Sequence, residues 1–266
     1  MARVQVALVA AGFRRHATYR QATFAGAFTN TVFGFLRCYI MLSVADAAGG
    51  AMAGYSGPQL VSYVWLGQGL LAVVNSWTML DLAERVRTGD VVADLLRPVD
   101  PLWTYLWTDI GRAGFALLTR FAVPLVVGAV AFDFYVPQSF ATYPLFALST
   151  VLAVVVCFAC RYLIGLSAFW LLDIRGVTMF WVFVSGAASG LYFPLAVLPE
   201  WLSTILWVAT PFPSLLQAPL DIAVERGGTE HALLVCLSQV VWVVLLLLAC
   251  HWTQSRAVRK LVVQGG

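Results

Sequence analysis

Lysine is almost missing from this chain: Lys260 is the only one, and Leu261 follows it. A phosphate-cradling loop needs Gly-Lys-Ser/Thr, so the chain cannot hold a nucleotide by that route. Charge of either sign is scarce, at 11% of residues, against about a quarter in ordinary soluble domains. The net charge of +3 is too mild to point to nucleic acid. Histidine occurs three times, at His16, His231 and His251, far apart and beside the ends of apolar runs. No Ser-His-Asp order, HExxH helix or pair of intramembrane aspartates is visible, which argues against a membrane protease or transferase. Whatever energy the chain uses comes from a gradient or from another subunit.

Cysteine is present five times but never in a polar loop. Cys157 and Cys160 form a CxxC inside Val-Leu-Ala-Val-Val-Val-Cys-Phe-Ala-Cys. A redox or zinc reading wants that pair near a βαβ pattern or histidine ligands, and in an apolar run cysteine is a small packing residue.

Apolar residues are abundant: 61% hydrophobic, with a mean hydropathy of +0.85. A water-soluble fold cannot hide that much apolar surface, so the solvent is lipid. Six runs reach the length of about 20 residues that a bilayer crossing needs. They lie near 22–41, 60–80, 110–131, 143–166, 177–196 and 232–250. None alternates like a barrel strand, so they read as helices, which satisfy their own backbone groups in lipid. The expectation is an all-α polytopic membrane fold with six transmembrane helices, one domain over residues 1–266.

Cations give the orientation. Arg3, Arg14, Arg15 and Arg20 precede the first run, and Arg85, Arg87 and Arg97 lie between the second and third, with Arg112 at the border of the third. Arg175 lies between the fourth and fifth, and Arg256, Arg259 and Lys260 follow the sixth. The opposite side carries Arg226 alone among six acids. The positive-inside rule then puts both termini in the cytoplasm. Residues 1–20 carry Val4, Leu8 and Ala11 with Val6, Val9 and Phe13 beside the arginines. That pattern suits an amphipathic elbow helix on the inner leaflet better than an export signal.

Two stretches are informative. Segment 81–109 holds nine charges: Asp81, Glu84, Arg85, Arg87, Asp90, Asp94, Arg97, Asp100 and Asp109. Thr88-Gly89-Asp90 offers helix-start chemistry and Pro98 closes the helix after about two turns. Val91, Leu95 and Leu96 fall on one side, with Asp90, Asp94 and Arg97 on the other. This is either a plain surface link or a docking helix whose apolar side enters a groove on a soluble partner while the charges set the register. The second stretch, 190–230, is apolar but broken by Pro194, Pro199, Pro211 and Pro213, and carries Trp201 and Trp207 at headgroup depth. Its pieces are too short to cross, so they dip into the outer leaflet or lie along it. Pro194, Pro199, Trp201 and Pro211 mark a candidate external gate.

Arg37, Arg120 and Arg161 lie within apolar runs, where an arginine costs about 2.5–3.5 kcal/mol at a helix centre. Each needs a partner or water, and Asp46 and Asp133 are candidate partners. Asn30 and Asn75 are further polar residues in the first two runs. Arg37, Asn75 and Arg120 are the candidate residues of a transport path; structural pairing and interhelical hydrogen bonding are the other reading.

Three stretches carry a family resemblance: Arg87-Thr-Gly-Asp-Val-Val-Ala-Asp-Leu-Leu-Arg-Pro-Val-Asp-Pro101, the pattern Ser-Gly-x-x-x-Pro-Leu-x-x-x-Pro-x-Trp-Leu from Ser189, and the tail Leu261-Val-Val-Gln-Gly-Gly266. Over essentially its whole length the chain resembles the six-span permease subunits of type-2 ATP-binding-cassette exporters. It is most similar to a bacterial branch in which two dissimilar permeases accompany one kind of ATPase. The resemblance implies a non-catalytic subunit of the inner membrane and two copies of a separate ATPase that binds the ATP and Mg. It further implies a second permease and export by alternating access. The coupling set would be Glu84, Arg87, Gly89, Asp90, Asp94, Leu95, Leu96, Arg97 and Pro98. A gradient-driven carrier, or a membrane scaffold or enzyme, is the rival reading.

Overall fold

A backbone in lipid has to bond to itself, and this chain does so almost wholly through helices. The computed structural model describes residues 2–18, 20–171 and 173–260. The tail motif Leu261–Gly266 lies outside them, as do Met1 and Tyr19 of the expected elbow. In chain order the α-helices are α1 (Ala2–Ala17), α2 (Arg20–Ala47), α3 (Gly57–Val74), α4 (Leu82–Thr88), α5 (Val91–Leu95) and α6 (Pro101–Ala116). After these come α7 (Ala122–Ala131), α8 (Thr142–Leu166), α9 (Arg175–Ala188), α10 (Glu200–Ala209), α11 (Gln217–Ala223) and α12 (Gly228–Val258). A two-residue antiparallel ribbon, Ala51–Met52 against Tyr55–Ser56, joins α2 to α3 and departs from the all-α expectation. Its turn residues Ala53 and Gly54 both have positive φ, which closes so short a ribbon.

Four stretches are long and apolar enough to cross a membrane: Phe24–Ala47, Pro101–Ala131, Thr142–Phe169 and Gly228–Val258. The second and fifth expected runs give shorter helices. Helix α3 stops at Val74 because Asn75 turns left-handed (φ 56°), six residues short of the expected end. Helix α9 has 14 residues, about 21 Å, and Gly190 (φ 81°) breaks the chain before Pro194 is reached. Helix α3 is the centre of the packing, with Leu60, Tyr63, Trp65 and Leu70 fully buried among α2, α7, α8 and α11.

The helix expected as the third run begins earlier than the apolar pattern suggests, at Pro101 rather than near Ile110. Asp100 caps it, its carboxylate accepting from the Leu102 N–H at 2.9 Å, and Pro101 sits where a missing N–H costs nothing. Residues 101–109 are therefore helical and continuous with the apolar run that follows them. Farther along, a π-turn at Leu117–Phe121 separates α6 from α7. Pro124 has no N–H for the Arg120 carbonyl and its ring would strike that carbonyl in a regular helix; the wider turn relieves the clash.

Helix α1 packs along α6 with their backbones touching. A Cβ at Gly12 would fall 2.0 Å from the Thr108 carbonyl oxygen, and one at Gly111 2.0 Å from that of Val9. Phe13 and Phe115 meet edge to face at 5.4 Å beside this contact.

On the face of the six acids, Glu225 ties the α7–α8 connection to the residue after α11. Its carboxylate accepts from Tyr135 Oη (2.7 Å), the Gln138 N–H (2.9 Å), the Ser139 N–H (2.8 Å) and Thr142 Oγ1 (2.6 Å). Partial desolvation pushes this carboxyl up, but the four hydrogen bonds outweigh it and hold it at about 2, against an ordinary 4.5. A depressed folded-state value stabilises the fold above the ordinary value and loses that contribution as pH falls toward about 2. Glu225→Gln should lower the thermal midpoint at neutral pH, and its difference from the parent should vanish as pH falls from about 4.5 to about 2. A difference independent of pH in melting curves of the detergent-solubilised proteins would refute this reading of the carboxylate.

Candidate functional site

The end of α3 leaves carbonyls that no helical N–H can reach. Three other helices supply donors. From α6, Arg112 donates through Nη1 to the Ala72 carbonyl (2.8 Å) and through Nη2 to that of Val73 (2.9 Å). From α8, Arg161 Nη1 donates to the Thr78 carbonyl (3.1 Å), and from α9, Trp181 Nε1 donates to that of Ser76 (2.8 Å). Guanidinium groups at a helix C-terminus also meet the negative end of its dipole.

Two buried cations need a counter-charge, and Asp109 supplies it. It accepts from Arg112 Nε at 2.6 Å and from Arg161 Nη2 at 2.6 Å. Asp109 is 4% exposed at its side chain and Arg161 1%. Arg161 thus pairs with an acid of α6, not with Asp46 or Asp133. Composition hid this acid among the loop charges; the Asp-x-x-Arg spacing at 109 and 112, one helical turn apart, was the available signal.

Beyond this anchor the chain turns into α4 and α5. Arg85 on α4 grips Asp94 on α5 through Nε (2.5 Å) and Nη2 (3.0 Å), and Arg97 approaches the same carboxylate at 3.8 Å. Tyr105 Oη donates to it from α6 at 3.4 Å. Asp94 is therefore turned inward, unlike Asp90 and Arg97, with which the sequence pattern had grouped it. Glu84 and Arg87 pair on the exposed side of α4 (2.7 Å), and Gly89 (φ 83°) ends that helix. Thr88 Oγ1 donates to the Asp90 carboxylate at 3.0 Å. Val91 is buried and Leu95 half-buried, while Leu96 is 80% exposed and Pro98 is exposed. The apolar residues thus divide: Val91 holds α5 to the body and Leu96, with Val92, faces away from it.

Two cavities meet at the end of α3. The first, about 320 Å3, lies between the end of α1 and the α4–α5 pair, with the Asp109–Arg112–Arg161 triad in its wall. The second, about 640 Å3, runs between α2 and α3. Arg37, Asn75 and Arg120, the three candidate path residues, all line this second cavity. Asn75 and Thr78 line both. Arg37 donates to the Leu191 carbonyl, and its Nε has no hydrogen-bond partner. The Arg120 guanidinium lies over Gly26, where a Cβ would come within 2.9 Å of Cζ. Asn30 Nδ2 donates to the Gln68 carbonyl at 3.1 Å. Gln68, which sequence reasoning passed over, is 2% exposed, lines the cavity, and carries a buried Oε1 without a partner.

Leu191 and Tyr192 line the end of this cavity nearest Arg37. They open the proline-broken stretch. Pro194 is buried, Pro199 caps α10, Trp201 is exposed on that helix, and Pro211 precedes a short 3-10 turn. Gln217 on α11 pins the stretch: its N–H donates to the Ser189 carbonyl (2.8 Å) and its Oε1 accepts from the Leu195 N–H (2.9 Å). Its Nε2 donates to Asp221 (2.8 Å), which also accepts from Tyr55 Oη (2.5 Å).

Asp109→Asn would leave two buried guanidinium groups with one neutral partner. Such a loss typically costs about 3–5 kcal/mol. The expected outcome is a markedly lower melting temperature in detergent and poor accumulation in the membrane. A melting temperature unchanged in Asp109→Asn would show that the triad does not carry the junction.

A family model described as ABC-2 family transporter protein matches residues 28–265, nearly the whole chain. No curated protein matches the chain significantly.

Proposed function

Because this chain belongs to the ABC-2 family of transporter proteins, we propose that it is the permease of an exporter, driven by ATP that a separate subunit hydrolyses. The family implies an ABC ATPase partner and a multi-pass membrane protein. In this reading the chain crosses the inner membrane of a bacterium six times, α3 and α9 completing the four longer crossings, with both termini in the cytoplasm. Two ATPase copies sit beneath, and a second, dissimilar permease lies beside it.

The observation that carries the reading is the α4–α5 pair. One ion pair, Arg85 on Asp94, is spent inward and ties the two short helices into a stiff unit, and the unit presents an apolar residue, Leu96, to the outside. Leu96 and Val92 together give the unit an exposed apolar tip flanked by charges, the pattern a docking helix offers a groove. As a coupling helix, α5 inserts Leu96 into a groove on the ATPase. Glu84, Arg87, Asp90 and Arg97 set its register from the rim, and Gly89 and Pro98 bound the unit. Leu95 and Asp94 support it from behind.

The route of motion follows from the anchor. A push on α4–α5 reaches the junction at residues 72–78, where carbonyls are held by α6, α8 and α9 at once. Near-rigid helices then tilt together, and the α2–α3 cavity changes the side to which it opens. The cargo passes between the inner cavity and the α2–α3 cavity at Asn75, and Tyr192 with the proline-broken stretch closes the outer end.

Leu96→Asp tests the docking surface, because an exposed residue can be changed without disturbing the fold. The variant should insert and melt like the parent but bind the ATPase about tenfold or more weakly, as a central apolar contact would. With Leu95→Asp added, export should stop while ATP hydrolysis continues. Normal export by the double variant would reject the coupling role.

A further inference from the structure

The α2–α3 cavity has a wall of one sign. Arg37 and Arg120 are its only charged residues, and among the described residues no Asp or Glu lines it. The inner cavity that meets it at Asn75 is also cationic, with Arg15, Arg85, Arg97, Arg112 and Arg161 against three aspartates. Beside Arg37 and Arg120, the α2–α3 wall carries five neutral polar residues, Thr29, Asn30, Gln68, Asn75 and Thr78, and an apolar side that includes Phe33, Leu36, Ile40 and Leu71. The wall follows α2 from Gly26 to Ile40, about 21 Å of helix.

We propose that this cavity takes an anionic amphiphile, a phosphate or carboxylate group carried on an apolar chain, and that this is the class of cargo the chain moves. Fixed cations in a wall of low dielectric raise the local concentration of anions and exclude cations. Guanidinium groups match the two oxygens of a carboxylate or phosphate. Two buried polar atoms on the wall await a partner, Arg37 Nε as donor and Gln68 Oε1 as acceptor. A headgroup carrying both acceptor oxygens and a hydroxyl satisfies both, and the chain lies along the leucine, isoleucine and phenylalanine side. Naming the ligand as cargo rests on the permease reading; its binding does not.

The test uses the full-length chain in nanodiscs of neutral phospholipid. The probes are 11-bromoundecyl phosphate and 11-bromoundecyltrimethylammonium, which share a chain and a quenching bromine and differ in charge. Trp77 lines the cavity, so quenching present in the parent and absent in Trp77→Phe reports occupancy there. The phosphate should bind about tenfold or more tightly than the ammonium, as a charge-assisted hydrogen bond of 1.5–3 kcal/mol requires. Arg37→Gln with Arg120→Gln should bring the two probes within about twofold of each other. Asn75→Asp, which keeps a residue tolerant of the left-handed backbone, should weaken the phosphate alone. Brominated phosphatidylglycerol in the disc forms the second arm: quenching of Trp77 by it at the expense of the free probe identifies the source as a bilayer lipid, and its failure to displace the probe identifies a single-chain amphiphile. Equal binding of both charges by the parent, or a preference that survives both arginine changes, overturns the proposal. Full competition by inorganic phosphate overturns the requirement for an apolar chain. None of these outcomes touches the Leu96 experiment, so the cargo class and the permease reading fail separately.

Discussion

One buried carboxylate fastens the end of α3 to its neighbours. Asp109 is the shared counter-charge of Arg112 and Arg161, whose remaining donors hold the carbonyls of Ala72, Val73 and Thr78. A guanidinium without its counter-charge at that depth would cost several kcal/mol and would draw water into the junction. With it, the last turn of α3 is fastened to α6, and the segment that follows is fastened at Thr78 to α8 and at Ser76 to α9. Asn75 and Thr78, in this held segment, line both cavities.

Several acids sit in structural contacts: Asp109 in the triad, Asp94 under Arg85, Asp100 at a helix start, Asp221 and Glu225 in the bonds around α11. Among the described residues, the α2–α3 cavity is lined by Arg37 and Arg120 and by no carboxylate, although the whole chain is only mildly basic. A small net charge says little about the field in a cleft that no acid lines.

The main outline was legible in the sequence because lipid removes alternatives. Apolar runs of sufficient length can only be helices. A short helix between Gly89 and Pro98 came from residues read one at a time, though at Val91–Leu95 it is shorter than the two turns expected; Arg37, Asn75 and Arg120, named separately, line one cavity. What composition could not give was depth. Asp109 read as a loop charge because the apolar pattern begins at Ile110, whereas the Asp100-Pro101 cap starts the helix nine residues earlier. The inward turn of Asp94 depends on an arginine nine residues away across a chain reversal, which helical periodicity does not describe. Gln68 was hidden for another reason: a lone amide in an apolar helix is ordinary, and only the cavity beside it makes its unpaired oxygen notable. The shortness of α3 and α9 had a local cause in each case, a left-handed residue that a hydropathy window averages away.

The contact between Gly12 and Gly111 has a mechanical consequence. Two helices separated by side chains can slide, since rotamers absorb an ångström or two of shear. Where a glycine on each meets the peptide group of the other, nothing compliant lies between them. Helices α1 and α6 therefore behave as one lever, and any tilt of α6 must swing α1 through whatever surrounds it. The work of displacing that surrounding medium becomes part of the energy difference between the conformations of the protein, so membrane thickness and stiffness enter its energetics through a pair of glycines.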